Sequence, residues 1–448
     1  MQVIKIKKGL DIPLKGEAVK VVSAFSVPDI VAIKPADFIN VLPKLIVNPG
    51  DHVNAGSPLF YNKLDENIIF TSPVSGIVSE PVRGDKRLIL EISVTPDPEI
   101  KYEQFGKQNI LSIDAEKIRS LLLKSGLWTF IRQRPYDIIP AIDSTPRDIF
   151  VSTFDSSPLA PDYQFILKDS IPYFQAGINA LAKLTTGKVF LGLDATIKDN
   201  IFSQIKNVEL TYFKGKHPAG NVGVQIHKTK PINKGDTVWY LNPQDIAMIG
   251  KFFTDGIYDA SRIIALTGPE AKNPVYCKTI IGSKINEIVE GQAKQSNIRH
   301  ISGNVLTGST IKNDGFLGYY HHQLTMIPEG DYYEFTGWAM PGFKKFSNSR
   351  VFFSWLFPGK KYDFDTNYHG GNRPFVMTGQ YEKVFPFSIY PVYLIKAILA
   401  EDIEKMEALG IYEVSSEDFA LCDYVCTSKT EAQQIVHNGL EMLRKEMS

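Results

Sequence analysis

The chain has 448 residues, which is more than one hydrophobic core normally accommodates, so its length predicts three or four domains. An apolar fraction of 44% and a charged fraction of 22% are typical of globular proteins. Lys and Arg together number 49, as do Asp and Glu. Because this balance gives no net positive field, we expect no nucleic-acid partner.

Three features of the sequence bear on its location. No apolar run approaches the roughly 20 residues that a membrane-spanning helix needs, so no transmembrane segment is expected. Residues 1–8 alternate like a strand and lack the apolar stretch of a signal peptide. Three cysteines are too few for a disulfide framework. These features together predict a cytoplasmic protein.

Residues 1–100 consist of short apolar runs separated by tight turns. The turns Pro49-Gly50-Asp51 and Pro73-Val74-Ser75-Gly76 predict a small β barrel or sandwich. Their order resembles the biotinyl/lipoyl carrier fold, in which a modified lysine stands at a hairpin tip shortly before the second turn. Asp65 occupies that position here, so we expect a structural module. The alternative is a swinging-arm carrier acylated at Lys63.

Strand and helix signals alternate between residues 101 and 268. Strands are predicted at 149–153, 189–193, 208–212, 237–241 and 261–266. Helices are predicted from Asp114 to Gly126, from Ser170 toward Gly187, and at 196–205 and 243–254. This alternation predicts a Rossmann-like parallel sheet with helices on its faces, a fold that binds ligands beyond the carboxyl ends of its strands.

A bulky loop follows the first of these helices. It reads Leu127-Trp128-Thr129-Phe130-Ile131-Arg132-Gln133-Arg134-Pro135-Tyr136. The order helix, Ser-Gly-Leu, loop, Pro and α/β sheet resembles the flavin-carrying subunit of respiratory complex I and the C subunit of Rnf complexes. In those families the loop is glycine-rich, because its backbone must approach a flavin mononucleotide. No glycine follows Gly126 in this loop, so we expect the flavin site to be lost.

Two interpretations of the loop side chains remain open. Trp128 and Phe130 either pack into the space left by the flavin, or face a quinone or a partner protein. We expect the first. Arg132, Arg134 and Tyr136 make the second possible, because aromatic and guanidinium groups are enriched where proteins bind partners.

A second glycine- and proline-rich loop follows a predicted strand. It reads Lys214-Gly215-Lys216-His217-Pro218-Ala219-Gly220 and matches no nucleotide-binding fingerprint. Lys216 and His217 therefore either support the sheet or join the quinone- or partner-facing candidates. With Trp239-Tyr240-Leu241-Asn242-Pro243-Gln244-Asp245 and residues 265–274, this loop makes the chain resemble the A subunit of the sodium-translocating NADH:quinone oxidoreductase. The resemblance covers nearly the whole length.

Residues 269–345 combine strand signals with glycine punctuation. Strands are predicted at 276–281 and 299–302, with a short helix from Ser283 to Glu290 between them. The resemblance implies a β-grasp module of the soluble-ligand-binding (SLBB) type. His321 and His322 are adjacent, but no cysteine or carboxylate lies at ligand spacing, so we expect no metal site.

Residues 346–448 are predicted to be mainly helical. Helices are expected at 392–409 and 430–445, the second with Ser428 and Glu431 at capping-box spacing. In the Rnf relative, the segment that corresponds to Cys422 and Cys426 resembles an iron–sulfur cluster motif with four thiolates. Two thiolates cannot complete such a cluster, so we expect both cysteines to be packing residues.

The resemblance implies a function that belongs to an assembly. We expect an α/β multidomain subunit, peripheral on the cytoplasmic face of the inner membrane, in a complex that oxidises NADH, reduces ubiquinone and exports sodium. Its partners would be the other subunits, including an integral membrane subunit, and ubiquinone is a candidate ligand. The chain itself would be a scaffold with no catalytic residue, no metal and no tightly bound cofactor.

Two other classes of function stay open at this point. One is a flavin or iron–sulfur electron-transfer protein, which the absorption spectrum of the purified chain would reveal. The other is a soluble ligand-binding module unrelated to respiration, against which co-purification with membrane subunits would argue.

Overall fold

The computed structural model describes residues 3–24, 27–337 and 339–447. They form an N-terminal β module, a parallel sheet flanked by helices, a second six-stranded sheet and a C-terminal helical region. This arrangement confirms the α/β multidomain class. Among the described residues, none of the helices combines the length and the apolar character needed to span a bilayer.

The N-terminal module contains two small antiparallel sheets. One is built from Val31–Ile33, His52–Val53, Gly76–Val78, Val82–Arg83 and Ile89–Pro96, and the other from Pro43–Leu45, Pro58–Asn62 and Asp65–Thr71. The predicted β module is therefore confirmed. Lys63 is exposed in the two-residue turn between the last two strands. The absence of an acyl cofactor on it stays a prediction.

The parallel sheet has six strands. Their spatial order is Val3–Ile6, Glu209–Gly215, Val189–Asp194, Asp148–Ser152, Val238–Tyr240 and Arg132–Arg134, and only the last is antiparallel to its neighbour. The predicted βαβ alternation is confirmed. The first edge strand comes from the start of the chain, which the sequence did not indicate.

Helices cover both faces of this sheet. They are Ala115–Lys124, Tyr163–Leu167, Ile171–Leu181, Val222–Thr229 and Pro243–Asp255. The predicted helix at 196–205 is wrong, since only a 3₁₀ turn forms at Ile201–Gln204. Asp194 and Asn200 accept hydrogen bonds from the backbone N–H groups of Thr196 and Phe202, and these local bonds compete with a helix.

The second sheet is mixed. Its order is Ser309–Ile311, Ile298–Ser302, Gln323–Pro328, Ser261–Thr267, Val275–Ile280 and Val19–Ser23. Assigning residues 261–266 to the parallel sheet was wrong. Ser261–Thr267 pairs antiparallel with Val275–Ile280, because the short link between them can close a hairpin but not a parallel crossover. The helix predicted from Ser283 is only one turn, Asn286–Val289. Ser283 does not cap this turn, because its hydroxyl donates to the Ile280 carbonyl.

The C-terminal region is helical, as predicted. Its helices are Tyr381–Val384, Pro391–Leu399, Ile403–Ala408, Ala420–Val425 and Ala432–Met447. The single helix predicted at 392–409 is two helices, because Glu401 adopts φ +54° and Asp402 caps the second through the Lys405 N–H. Cys277, Cys422 and Cys426 are all buried and unbridged.

Candidate functional site

A cavity of about 460 Å³ lies at the carboxyl edge of the parallel sheet. Ser152, the last residue of one strand, and Leu241, which directly follows the neighbouring strand Val238–Tyr240, line it. After the strand Asp148–Ser152, the chain forms its next two strands on one side of this strand and then forms Val238–Tyr240 on its other side. The cavity therefore lies at the point where the strand order reverses. Open α/β sheets bind their ligands at this position.

Four parts of the chain line the cavity. The α/β domain contributes the floor, and the second sheet contributes the loops at residues 303–309 and 318–323. The C-terminal region adds Ser416, Glu417 and Gln433, and the N-terminal module adds Ala36 and Asp37. The site is therefore complete only when all four parts are folded together.

Three of the seven candidates from the sequence line the cavity, namely Phe130, Arg132 and His217. Trp128 does not, and it is 1% exposed. Its indole Nε1 donates to the Pro140 carbonyl at 2.9 Å, and its ring meets that of Trp239 edge-on at 5.2 Å. The packing interpretation therefore describes Trp128.

The other three candidates lie outside the cavity lining. Arg134 is 1% exposed and pairs with Asp418, while Tyr136 is half-buried and meets Tyr412 edge-on at 6.4 Å. Lys216 is exposed on the loop beside His217. The seven candidates therefore do not form one continuous patch.

Arg132 is the centre of a polar and aromatic cluster in the cavity wall. Its guanidinium is 2.6 Å from the Asp137 carboxylate and lies 4.9 Å from the ring centroid of Tyr320 and 5.5 Å from that of Tyr240. The Tyr240 hydroxyl also donates to Asp137. Phe130 stacks on Tyr319 at 4.8 Å, which extends the aromatic wall. A flat, partly polar ring would find stacking surfaces here.

His322, one of the residues that line this cavity, carries an unpaired N–H group. The backbone N–H of Ile263 donates to Gln244 Oε1 at 3.1 Å, which fixes the orientation of the amide. Gln244 Nε2 therefore donates to His322 Nδ1 at 2.8 Å, and the ring proton must sit on Nε2. Nε2 is buried and has no hydrogen-bond partner among the described residues. Burial lowers the pKa of His322 well below its usual value, so the ring is neutral.

Two more neutral histidines line the same cavity. His217 Nδ1 lies 3.1 Å from Ser156 Oγ, and His321 Nδ1 lies 2.8 Å from Ser302 Oγ. Each serine oxygen also accepts from a backbone N–H, that of Gly220 for Ser156 and that of Gly318 for Ser302. Burial lowers the pKa of both histidines to about 4. Both rings are therefore neutral near pH 7.

Acidic side chains at the cavity are also perturbed. Burial raises the pKa of Asp245 to about 6, although the carboxylate is 2.6 Å from Arg262. Burial, and then the charge of Asp418, raise the pKa of Glu417 to about 7. Tyr163, whose hydroxyl accepts from Asn242 Nδ2 at 2.6 Å, keeps its own proton for donation. The cavity lining thus combines hydrogen-bond donors with five carboxyl groups, those of Asp37, Asp137, Asp155, Asp245 and Glu417.

Part of this site was predictable from the sequence. Phe130, Arg132 and His217 were found because they sit in unusual loops beside predicted strands. His322 was considered only as a metal ligand, and Tyr163 and Tyr240 were not considered. The rule that ligands bind beyond parallel strands would have pointed to Asn242, which directly follows the strand Val238–Tyr240 and Leu241.

The arrangement of the histidines, cysteines and carboxylates bears on the expected absence of a metal or cluster. In the described part of the chain, no group of three or more His, Cys, Asp or Glu side chains is arranged to hold a metal ion. Cys422 is inaccessible and burial raises its pKa, which disfavours the thiolate that a cluster requires. Cys426 accepts a hydrogen bond from the Thr430 N–H at 3.3 Å. Both thiols are buried, and the absence of a cluster stays a prediction.

Three family models match consecutive parts of the chain. They are described as the NqrA N-terminal barrel-sandwich hybrid domain, at residues 4–97, the NqrA second alpha/beta domain, at 113–258, and the NQRA C-terminal domain, at 263–313. The NAD⁺-reducing [NiFe]-hydrogenase in its air-oxidized state is similar at 11% identity and a TM-score of 0.36, covering 78% of this chain and 67% of that one.

Whole-length relatives share one name, the A subunit of the Na(+)-translocating NADH-quinone reductase. The protein from Yersinia pestis bv. Antiqua (strain Angola) is 37% identical over 448 residues, and that from Pasteurella multocida (strain Pm70) is 36% identical over 448 residues. Each match covers 99% of this chain and 100% of the relative. The resemblance inferred from the sequence is confirmed, and the chain belongs to the NqrA family, the A subunits of the Na⁺-translocating NADH-quinone reductases.

Proposed function

We propose that this chain is a peripheral scaffold on the cytoplasmic face of the inner membrane, docked on an integral membrane subunit of a complex that oxidises NADH, reduces ubiquinone and exports sodium. We further propose that its cavity forms part of a quinone site. The redox centres and the sodium path would lie in partner chains. The family membership supports the first proposal, and the geometry of the cavity supports the second.

The observation that carries the quinone proposal is the neutral His322 ring with its unpaired Nε2–H. A quinone has two carbonyl oxygens that accept hydrogen bonds and no group that donates them. A neutral imidazole N–H is therefore a matched partner, and a buried donor without an acceptor costs about 1–3 kcal/mol until a ligand supplies one. The Tyr163 hydroxyl is a second donor of the same kind.

The aromatic walls suit the quinone ring. Phe130, Tyr319, Tyr320 and Tyr240 all line the cavity, and about 460 Å³ accommodates a substituted ring. Arg132 is already neutralised by Asp137, so the wall near it carries no net charge to repel an uncharged ligand.

The loop that binds flavin in the related complex I and Rnf subunits is used differently here. Leu127–Phe130 is a 3₁₀ turn in which every side chain is buried. The Thr129 N–H donates to the Gly126 carbonyl and the Ile131 N–H to that of Trp128. Two amides of the turn are thus engaged, and the buried side chains, Trp128 among them, occupy the space around it. We propose that no cofactor is tightly bound in this chain.

Two experiments test these proposals. Affinity purification of the tagged chain from native membranes should retrieve membrane subunits of the reductase, and recovery of the chain alone would contradict the scaffold role. A photoreactive ubiquinone analogue should label peptides containing Tyr163 or residues 318–323 in the intact complex. Labelling confined to other subunits would contradict the cavity assignment. Flavin absorption in the purified chain would contradict the proposal that no cofactor is tightly bound.

A further inference from the structure

Residues 343–361, called here the aromatic–basic loop, expose an unusual number of large apolar side chains. Six of them have between 42% and 65% of their surface exposed, namely Phe343, Val351, Phe353, Trp355, Leu356 and Phe357. Phe343 and Phe353 are in contact, with ring centroids 5.7 Å apart. Large apolar side chains exposed together on one segment indicate a site of interaction with another surface.

Hydrogen bonds within the loop hold its backbone in a defined conformation. Its centre is a 3₁₀ turn at Phe353–Leu356, and the Ser354 side chain, 6% exposed, accepts from the Ser347 N–H at 3.1 Å. The Ser347 hydroxyl in turn accepts from the Phe352 N–H at 2.9 Å. The serines thus hold the backbone while the apolar side chains point away from it.

The base of the loop is fixed to the start of the chain. Tyr362 is 4% exposed, and its N–H donates to the Pro13 carbonyl at 2.7 Å. The Lys15 N–H donates to the Tyr362 carbonyl at 3.0 Å. The exposed apolar side chains are therefore presented from a rigid platform, and their exposure is a property of the folded chain.

The charge of the loop differs from that of the protein as a whole. The chain has 49 basic and 49 acidic residues, whereas residues 343–361 contain four lysines, one arginine and no carboxylate. Lys345 and Lys361 pair with Glu334 and Glu17, outside the loop. For Lys344, Arg350 and Lys360, no carboxylate lies within ion-pair distance in the part of the chain that the structure describes. Three positive charges therefore remain beside the apolar side chains.

We propose that the aromatic–basic loop binds directly to the surface of an anionic lipid bilayer. Trp and Phe side chains favour the interface between headgroups and acyl chains, and lysines bind the headgroup phosphates. Lysines are depleted at protein–protein interfaces, and this loop carries four, so its composition favours lipid over a protein partner. Arg350 lies 5.8 Å from the Trp355 ring centroid, so one charge and one aromatic anchor approach the surface together.

This inference is independent of the quinone proposal. A chain whose cavity bound no quinone would still carry this loop, and vesicle binding reports on the loop alone. Conversely, a failure of vesicle binding would leave labelling of the cavity by a quinone analogue unaffected.

Flotation of the purified full-length chain with vesicles tests the inference. The chain should float with vesicles of equal parts phosphatidylglycerol and phosphatidylcholine at low salt, and high salt should release only part of it. The triple variant K344Q/R350Q/K360Q should bind on the order of 100-fold more weakly, since each basic residue contributes about fivefold in affinity. The double variant W355S/F357S should lose the part of the vesicle binding that persists at high salt.

Matched controls separate the loop from general surface effects. L111S removes an apolar side chain that is 76% exposed outside the loop, and K198Q removes an exposed lysine there. Both should float like the wild type, and all variants should keep the wild-type melting temperature. Binding of the triple variant at wild-type strength, or wild-type binding only to vesicles that contain membrane subunits, would overturn the inference. The second result would identify a protein as the partner.

Discussion

Arg134 and Asp418 form an ion pair with 2.7 Å between Nη1 and Oδ2, and neither side chain is more than 1% exposed. The pair joins the Arg132–Arg134 strand to the C-terminal helical region, 284 residues away in sequence. Removing one member leaves a buried charge without a partner, which costs about 3–5 kcal/mol. We expect R134M to lower the free energy of unfolding by about that much in urea denaturation, and D418N added to it to recover part of the loss.

An exposed ion pair provides the control. Lys188 and Glu209 are 2.7 Å apart, but their side chains are 66% and 51% exposed. Exposed pairs contribute about 0–1 kcal/mol, so K188M should change little. Equal losses for R134M and K188M would mean that the buried pair does not hold the two regions together.

Gly250 allows two helices to approach closely. A Cβ atom at this position would lie 1.8 Å from the Tyr173 carbonyl oxygen on the helix Ile171–Leu181. Since both partners are backbone, G250A should force the helices apart and cost at least about 1–3 kcal/mol in thermal or urea unfolding. G371A, where no atom lies within 4 Å, should be nearly neutral. A neutral G250A would disprove the close helix packing.

Asp423 caps the last helix, Ala432–Met447, from outside it. Its Oδ1 accepts from the Ala432 N–H at 2.5 Å, and its Oδ2 accepts from Gln433 Nε2 at 2.7 Å. We expect D423A to cost about 1 kcal/mol and to speed hydrogen exchange in the first turn of this helix. S428A should do less. A larger loss of stability for S428A than for D423A would instead support the capping box that the sequence predicts at Ser428.

Glu417 should make stability depend on pH. Burial and the Asp418 charge raise the pKa of Glu417 to about 7 in the folded chain, from 4.5 in its ordinary state. The folded state therefore holds the proton more tightly, so this group favours folding below pH 4.5 and loses that contribution as the pH rises to 7. The stability of E417Q relative to the wild type should rise across that window. E441Q should show no such rise between pH 4.5 and 7, because the hydrogen bond and charge of Lys445 lower the pKa of Glu441 and place its pH dependence below 4.5. The same slope in both variants across that window would contradict the assignment.

The elements that the sequence predicted well are those with strong local signals. The strands Asp148–Ser152 and Val189–Asp194 and the helix Pro243–Asp255 each carry an apolar pattern of the right period between turn or cap residues. The start of the helix Ile171–Leu181 was also correct, although Ser170 makes no side-chain capping bond.

The pairing of distant strands could not be inferred from local signals. Val3–Ile6 joins the parallel sheet beside Glu209–Gly215, and Val19–Ser23 joins the second sheet beside Val275–Ile280. Both short strands look alike in sequence, and only the tertiary fold decides which sheet each completes. The first 23 residues therefore connect two regions that the sequence suggested were separate.

The site was predictable only in part for a similar reason. Arg132 and His217 stood out as polar residues in unusual loops. The role of His322 depends on the amide orientation of Gln244, which the backbone of Ile263 fixes. That chain of hydrogen bonds crosses from the α/β domain to the second sheet, so no pattern within one segment carries it.

Equilibrium binding of a short-chain ubiquinone to the purified chain tests the central claim most directly. The wild type should bind it, and H322L and Y163F should each bind about tenfold more weakly, because each loses one hydrogen bond to a carbonyl oxygen. H52Q, at an exposed histidine in the N-terminal module, should bind like the wild type. Equal affinity in all four proteins, with unchanged melting temperatures, would contradict a quinone site in this cavity.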